Sequence, residues 1–201
     1  MLQFQELTSQ HGAQLRRYYE TCDYRLCEYS LGVKLMWRGY LHPSFAEAAG
    51  CLIIRNCIEG EYVFDYPITG TDGDTEGALR AIESWCSQKG LPLVLSVVPE
   101  DKAGQLVLRY PRCRVISERP WKDYLYRTEE LTAFAGRRYS GQRNHINKFR
   151  RDYPDAEFTP LIDAADPRLT AFWQDYAAEF HKSGPLAVQE LVLAQEMFSL
   201  I

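Results

Sequence analysis

Along this chain the spacing of apolar residues switches between three-to-four and two, and each switch marks a predicted element. Residues 8–22, "TSQHGAQLRRYYETC", set Leu15, Tyr18, Tyr19 and Cys22 three or four apart behind a Thr/Ser start, which predicts an amphipathic helix. "GVKLMWRGYL" (32–41) is rich in branched and aromatic residues and predicts a strand. "GCLIIRNC" (50–57) and "EYVFDYPI" (61–68) predict two more, joined by a hairpin turn at Gly60. A glycine-bearing loop, "TGTDGDTEG" (69–77), then feeds a helix with Leu79, Ile82, Trp85 and Cys86 on one face and Gly90 as its stop. "LPLVLSVVP" (91–99) is apolar almost throughout, so residues 92–98 are expected at the centre of one mixed sheet spanning 33–127. A helix over 100–110 and strands at "CRVISE" (113–118) and "DYLYR" (123–127) follow.

That order predicts a mixed α/β fold. After residue 136 the pattern restarts with a basic helix, an extended "AEFTPL" (156–161) and a helix opening on Asp166-Pro167. Residues 1–135 are therefore expected as one unit and 136–201 as the start of a second. The last helix carries Leu191, Ala194, Phe198 and Ile201 on one stripe and Leu193, Met197 and Leu200 on an adjoining one. Its apolar arc is wider than a surface helix needs, so partners on two sides are expected. With no stop signal at its end, the remainder of the second unit is expected in sequence beyond it. A bare arc would favour self-association, and this form would bind without turnover.

Composition is ordinary for a soluble globular protein, with 46% apolar and 25% charged residues in 201. No apolar run approaches the roughly 18 residues of a membrane span, and the N-terminus lacks a secretory pattern, so a cytoplasmic location is expected. The six cysteines form no CxxC pair and the four histidines are scattered, so reduced thiols and no metal site are expected. Charge changes the picture more. Between Arg137 and Arg151 stand six basic residues and no acid. Taking six from 23 Lys+Arg leaves 17 against 27 Asp+Glu, so the rest is near −10.

On a helical wheel Tyr139, Ile146, Phe149 and Tyr153 share one sector, expected to pack on the protein body. Arg143, Asn147 and Arg151 step along the neighbouring face, flanked by Arg137, Asn144 and Lys148. Guanidinium forks and amides suit phosphate oxygens, which makes these six candidate contacts for tRNA or another polyanion. The competing reading is a solvated linker helix whose arginines pair with surrounding acids. His145 lies off this face and reads as a structural hydrogen-bonding residue.

A three-stranded meander, a glycine loop, a helix and a buried apolar strand follow the layout of the GNAT-type N-acyltransferase fold. More specifically, "CEYSLGVKLMWR" (27–38), "YVFDYPIT" (62–69) and above all "DYLYRTEELTAFAGRRYSGQRNHINKFRRDYPDAEFTPL" (123–161) resemble the phosphatidylglycerol lysyltransferase C-terminal family, distantly akin to Fem-type aminoacyltransferases. The resemblance implies two GNAT-like units in tandem and transfer of an acyl or aminoacyl group to an amine or hydroxyl acceptor. The donor would be aminoacyl-tRNA or acyl-CoA, with no other cofactor firmly implied. It places Tyr66, Gly70 and Gly73 along the cleft. The loop's Asp72, Asp74 and Glu76 would repel a pyrophosphate, and Asp74 is expected to cap the following helix. The alternative is a polyanion-binding module without turnover, or a degenerate structural unit.

Overall fold

Glycine at three positions lets the loop before the long helix lie directly on a hairpin turn, and the sheet is built around that contact. The computed structural model describes residues 1–160, 163–180 and 184–198. It divides into two units, Met1–Ile116 with Asp163–Ile201, and Ser117–Ile162. The first contains β1 (Gln5–Glu6), α1 (Gly12–Thr21), α2 (Leu31–Met36), α3 (Arg38–Leu41), β2 (Ser44–Ala48), β3 (Cys51–Ile58), β4 (Glu61–Asp65), β5 (Ile68–Thr69), α4 (Thr75–Lys89), β6 (Leu95–Ser96) and α5 (Glu100–Arg109). The second contains α6 (Thr128–Ala133) and α7 (Ser140–Asp152). The chain then returns to the first with α8 (Pro167–Phe180) and α9 (Pro185–Phe198).

The sheet is mixed, in the order β1-β2-β3-β4-β6, with β5 beside β3. β2, β3 and β4 form an antiparallel meander, with Phe45 opposite Ile54 and Arg55 opposite Phe64. The β3–β4 turn uses Glu59 and Gly60, both at positive φ, as a tight hairpin demands. β3 shows the two-residue period plainly. Leu52 and Ile54 enter one core with Leu15, Tyr18, Leu35 and Phe45, while Cys51 and Ile53 enter another with Ile82, Trp85 and Cys86 of α4. α4 carries the chain to β6, which pairs with β4 in parallel, Phe64 with Leu95 and Asp65 with Ser96. Pro67 has no N–H to give a ladder, and it separates β4 from β5, which pairs with β3 through Thr69–Cys51 and Ile68–Leu52.

Several sequence expectations are corrected here. Residues 32–41 are helical, not a strand. Leu31 and Leu35 stand one turn apart, Leu35 and Lys34 are buried, and the left-handed His42 before Pro43 ends the run. The first meander strand is Ser44–Ala48, whose alanines and Glu47 carry little strand preference. Its pairing on both sides, with β1 and β3, supplies what propensity does not. Residues 92–98 do not lie at the sheet's centre. Only Leu95–Ser96 pair, at the end of the strand order among the described residues, and that support for the acyltransferase layout is lost. "CRVISE" and "DYLYR" form no strand: Val115, Ile116, Tyr124, Leu125 and Tyr126 are exposed and unladdered. Asp74 stands just before α4, at its cap position, but its side chain makes no capping bond. Its carboxylate meets Arg80 at 3.2 Å instead.

The last helix is not bare where it is described. Leu191 and Leu193 are buried, α9 packs on α2 and α8, and Arg38 pairs with Glu196. The expected cover from a second copy loses its reason there; Leu200 and Ile201 lie outside the described residues. Among the described residues no helix is long and apolar enough to cross a membrane.

The glycine contact carries a prediction. A Cβ on Gly73 would stand 2.7 Å from the Gly50 carbonyl oxygen and 2.7 Å from Thr69 Cγ2. Both neighbours are held, one by backbone and one by strand pairing, so Gly73→Ala should cost about 1–3 kcal/mol through overpacking. Thermal unfolding checks it, and an unchanged midpoint contradicts the interlock.

Candidate functional site

β4 and β6 run together only as far as Asp65 and Ser96. Beyond that pair Val97 takes a positive φ of 52°, and the Tyr29 hydroxyl sits between the carbonyls of Tyr66 and Val97, at 3.2 and 2.7 Å. A hydroxyl has one proton, so it donates to one of the two at a time, with Val97 O the nearer. Strands that would otherwise continue as neighbours are thus parted. Beside the gap lies a polar cavity of about 300 Å³, walled by the end of α1 (Thr21, Asp23, Tyr24), the β4–β5 link (Tyr66, Thr69), the start of α4 (Thr75, Glu76) and α5 (Lys102, Gln105). A second hollow of about 340 Å³, between α8 and α9, is lined by Leu169, Trp173, Ala177 and Phe198 and has no titratable group among the described residues of its wall.

Aromatic packing fixes the polar cavity's wall. Tyr24 meets Tyr29 and Tyr66 edge-to-face, at 4.8 and 5.9 Å between centroids, and donates its hydroxyl hydrogen to Pro67 O at 3.1 Å. The Lys102 ammonium pairs with Asp101 at 2.9 Å and stands 6.0 Å from the Tyr24 ring centre. Glu76 is held by Arg109, which also grips Glu83. Tyr66 is only 5% exposed, and its hydroxyl has no hydrogen-bond partner among the described residues. Burial pushes the Tyr24 hydroxyl up to about 12 and raises those of Tyr66 and the Cys22 thiol. All three stay protonated at neutral pH and can donate.

Under this wall lies a buried charge pair. Lys34 Nζ is 2.5 Å from Asp65 Oδ2, with both side chains no more than 3% exposed. Asn56 donates to Asp65 Oδ1 at 2.9 Å, while its own Oδ1 and the Tyr19 hydroxyl are buried with no hydrogen-bond partner among the described residues. Burial raises the Asp65 carboxyl above its ordinary range, with Lys34 and Asn56 opposing.

The unit Ser117–Ile162 holds the basic segment. Phe134 and Gly136 turn the chain at positive φ, and Arg143 donates to the carbonyls of both, at 2.8 Å for Gly136. Tyr139, buried, donates to Glu130 at 2.8 Å and meets Phe134 edge-to-face. Phe149 and Tyr153 are more than half exposed and tilt against one another at 5.2 Å, instead of both packing on the body as expected.

The sequence profile described as "Phosphatidylglycerol lysyltransferase, C-terminal" matches residues 19–196. The chain belongs to that family. A transferase-related role at the family level goes with it. No curated protein matches the chain. A crystal structure of a conserved protein of unknown function from Bacteroides thetaiotaomicron VPI-5482 shares the fold at a TM-score of 0.83 and 22% identity. It covers 100% of this chain, which spans 69% of that one.

In this lysyltransferase-family domain the residues expected from sequence fall in different places. Tyr66 lines the polar cavity; Gly70 and Gly73 do not. Their amides donate to Gly50 O and Gly70 O, and that of Asp74 to Ala49 O, so the loop amides are spent inside the fold. In the basic segment Arg137, Asn144 and Asn147 are exposed. Lys148 and Arg151 reach Asp152 at 3.9 and 3.6 Å, exposed pairs of little strength. Arg143 is a clamp on its own turn. Sequence reasoning missed Asp23, Tyr24, Lys34, Asp65 and Lys102. A signal existed for the buried pair: one lone Lys in "GVKLMW" and one lone Asp in "YVFDYPI", of opposite sign.

Proposed function

We propose that the chain is a GNAT-like acyl or aminoacyl transferase domain that takes its donor as aminoacyl-tRNA and works at the polar cavity. The observation that carries this is the parting of parallel strands β4 and β6 beside a cavity whose wall offers the unspent hydroxyl of Tyr66. In such a site the acceptor's amine or hydroxyl attacks the activated carbonyl. A new C–N or C–O bond forms, the ester bond to the carrier breaks, and the carrier's oxygen leaves with a proton. A free donor beside the gap would stabilise charge on the carbonyl oxygen, and holding both reactants close requires no covalent enzyme intermediate. Tyr66, buried with its hydroxyl unpartnered, is the side chain placed to donate; Asp23 and Lys102 would orient the polar ends of the transferred group.

Two features favour tRNA over acyl-CoA. The amides of Gly70, Gly73 and Asp74 are already bonded, which leaves a pyrophosphate without the usual loop cradle. The exposed cations of Arg137–Arg151 suit a larger polyanion. A second reading, a polyanion-binding module without turnover, draws on the position of β6 at the end of the strand order. Comparing charged with uncharged tRNA separates the two. The aminoacylated form should bind severalfold tighter, and Tyr66→Ala or Asp23→Asn should erase that difference while leaving uncharged tRNA unaffected. Equal affinity of the two forms in the wild-type chain would remove the cavity from the account.

A further inference from the structure

Within the unit Ser117–Ile162, residues 121–127 read "WKDYLYR", and every one of them is exposed. The backbone is extended at both ends of the stretch, with φ −99° and ψ 127° at Lys122 and φ −76° and ψ 135° at Arg127. Residues two apart on an extended chain share a face. Tyr124 and Tyr126 do so, with ring centres 6.4 Å apart and planes within 21° of parallel. Asp123 and Leu125 alternate with them. Tyr124 is 80% exposed and Tyr126 50%, so the pair faces solvent.

That spacing has a chemical meaning. Stacked bases follow one another at about 3.4 Å, so a ring–base–ring sandwich spans about 7 Å. The two tyrosines are separated by nearly that distance. Cations flank the tyrosines, with Lys122 before and Arg127 after them; Arg138, 4.8 Å from the ring of Tyr139, shares Glu130 in an exposed pair at 3.3 Å that a phosphate can displace. The unit as a whole holds nine Lys+Arg against seven Asp+Glu in a chain of net charge −4. Charge complementarity therefore favours an anionic occupant over an apolar peptide.

We propose that Tyr124 and Tyr126 form a stacking slot for an unpaired base of a single-stranded nucleic acid, whose phosphates meet Lys122, Arg127 and Arg138. This rests on the polyanion reading above and adds to it a preference for unpaired strands. Duplex bases are closed to such a slot, whereas a single strand can splay one base into it.

The test uses the full chain and fluorescence anisotropy, with a single-stranded RNA oligonucleotide and a duplex of the same length at fixed salt. The single strand should bind more tightly. Tyr124→Ala with Tyr126→Ala should weaken it about tenfold or more and leave the duplex unchanged, since each stacked base contributes strongly by alanine substitution. Tyr124→Phe with Tyr126→Phe should keep wild-type affinity, because the rings remain. If the wild-type chain binds both nucleic acids equally, or the alanine pair binds the single strand normally, the slot is overturned while the polyanion reading stands. If neither nucleic acid binds the wild-type chain, the polyanion reading fails and the slot with it. A strip that pairs instead with another β-strand would show that last pattern together with self-association.

Discussion

Lys34→Met should lower the unfolding free energy by about 3–5 kcal/mol, because it strands a carboxylate in the core. Lys34 and Asp65 meet at 2.5 Å in a region no more than 3% exposed, and Asn56 supplies a second close donor, at 2.9 Å. Replacing both charged residues by apolar ones of similar volume should cost less than the single change, since no charge is then left unpaired. The pH dependence has a definite sign. Burial raises the folded-state Asp65 pKa above its ordinary 3.8, and Lys34 opposes that rise. A carboxyl with a raised folded pKa contributes stability that is full below the unfolded value and is lost as pH climbs through the folded value. Removing Lys34 enlarges the rise, so the deficit of Lys34→Met should be greatest at neutral pH and shrink toward about pH 4 as Asp65 takes up its proton. Urea denaturation at both pH values reads this. A deficit that widens in acid would contradict the ionic pairing.

The second large effect concerns the basic segment. Arg137 is exposed, and Lys148 and Arg151 have only weak exposed ties to Asp152, so these three can turn to a phosphate backbone at little cost. Replacing all three with Ala should flatten the slope of log K against log salt by about 2 to 3, at about 0.7–0.9 for each phosphate no longer neutralised. Arg143→Ala should behave differently. Arg143 holds the turn at Phe134 and Gly136, so its removal should loosen the start of α7 and lower stability before it changes the slope. A triple variant with intact fold and unchanged slope would make the segment a solvated linker.

Much of the architecture was legible because local patterns and tertiary context agreed. α1 and α4 followed their apolar spacing, α5 falls within the expected 100–110, and the Gly60 hairpin and the Gly90 stop stand where turn chemistry puts them. Failures came where context overrode propensity. Branched and aromatic residues at 32–41 suggested a strand, yet Lys34 and Leu35 are buried at consecutive positions, which the alternation of a half-buried strand does not give. The apolar run at 91–99 suggested a central strand, but two prolines bracket it and only Leu95–Ser96 pair. Ser44–Ala48 was invisible because its strand character comes from neighbours on both sides. The cavity was harder still. Its wall joins residues 21–24, 66–69, 75–76 and 102–105, and no local pattern connects those stretches. Charge clustering was readable from sequence, whereas which arginine is spent inside the fold was not.

The central claim is that this lysyltransferase-family domain receives its donor on tRNA and not on coenzyme A. The most direct measurement is equilibrium binding of the wild-type chain to tRNA and to an acyl-CoA, side by side across a salt series. The account predicts tRNA binding that weakens steeply as salt rises, with no saturable acyl-CoA binding at matched concentration. Saturable acyl-CoA binding, with tRNA binding absent even at low salt, would contradict it.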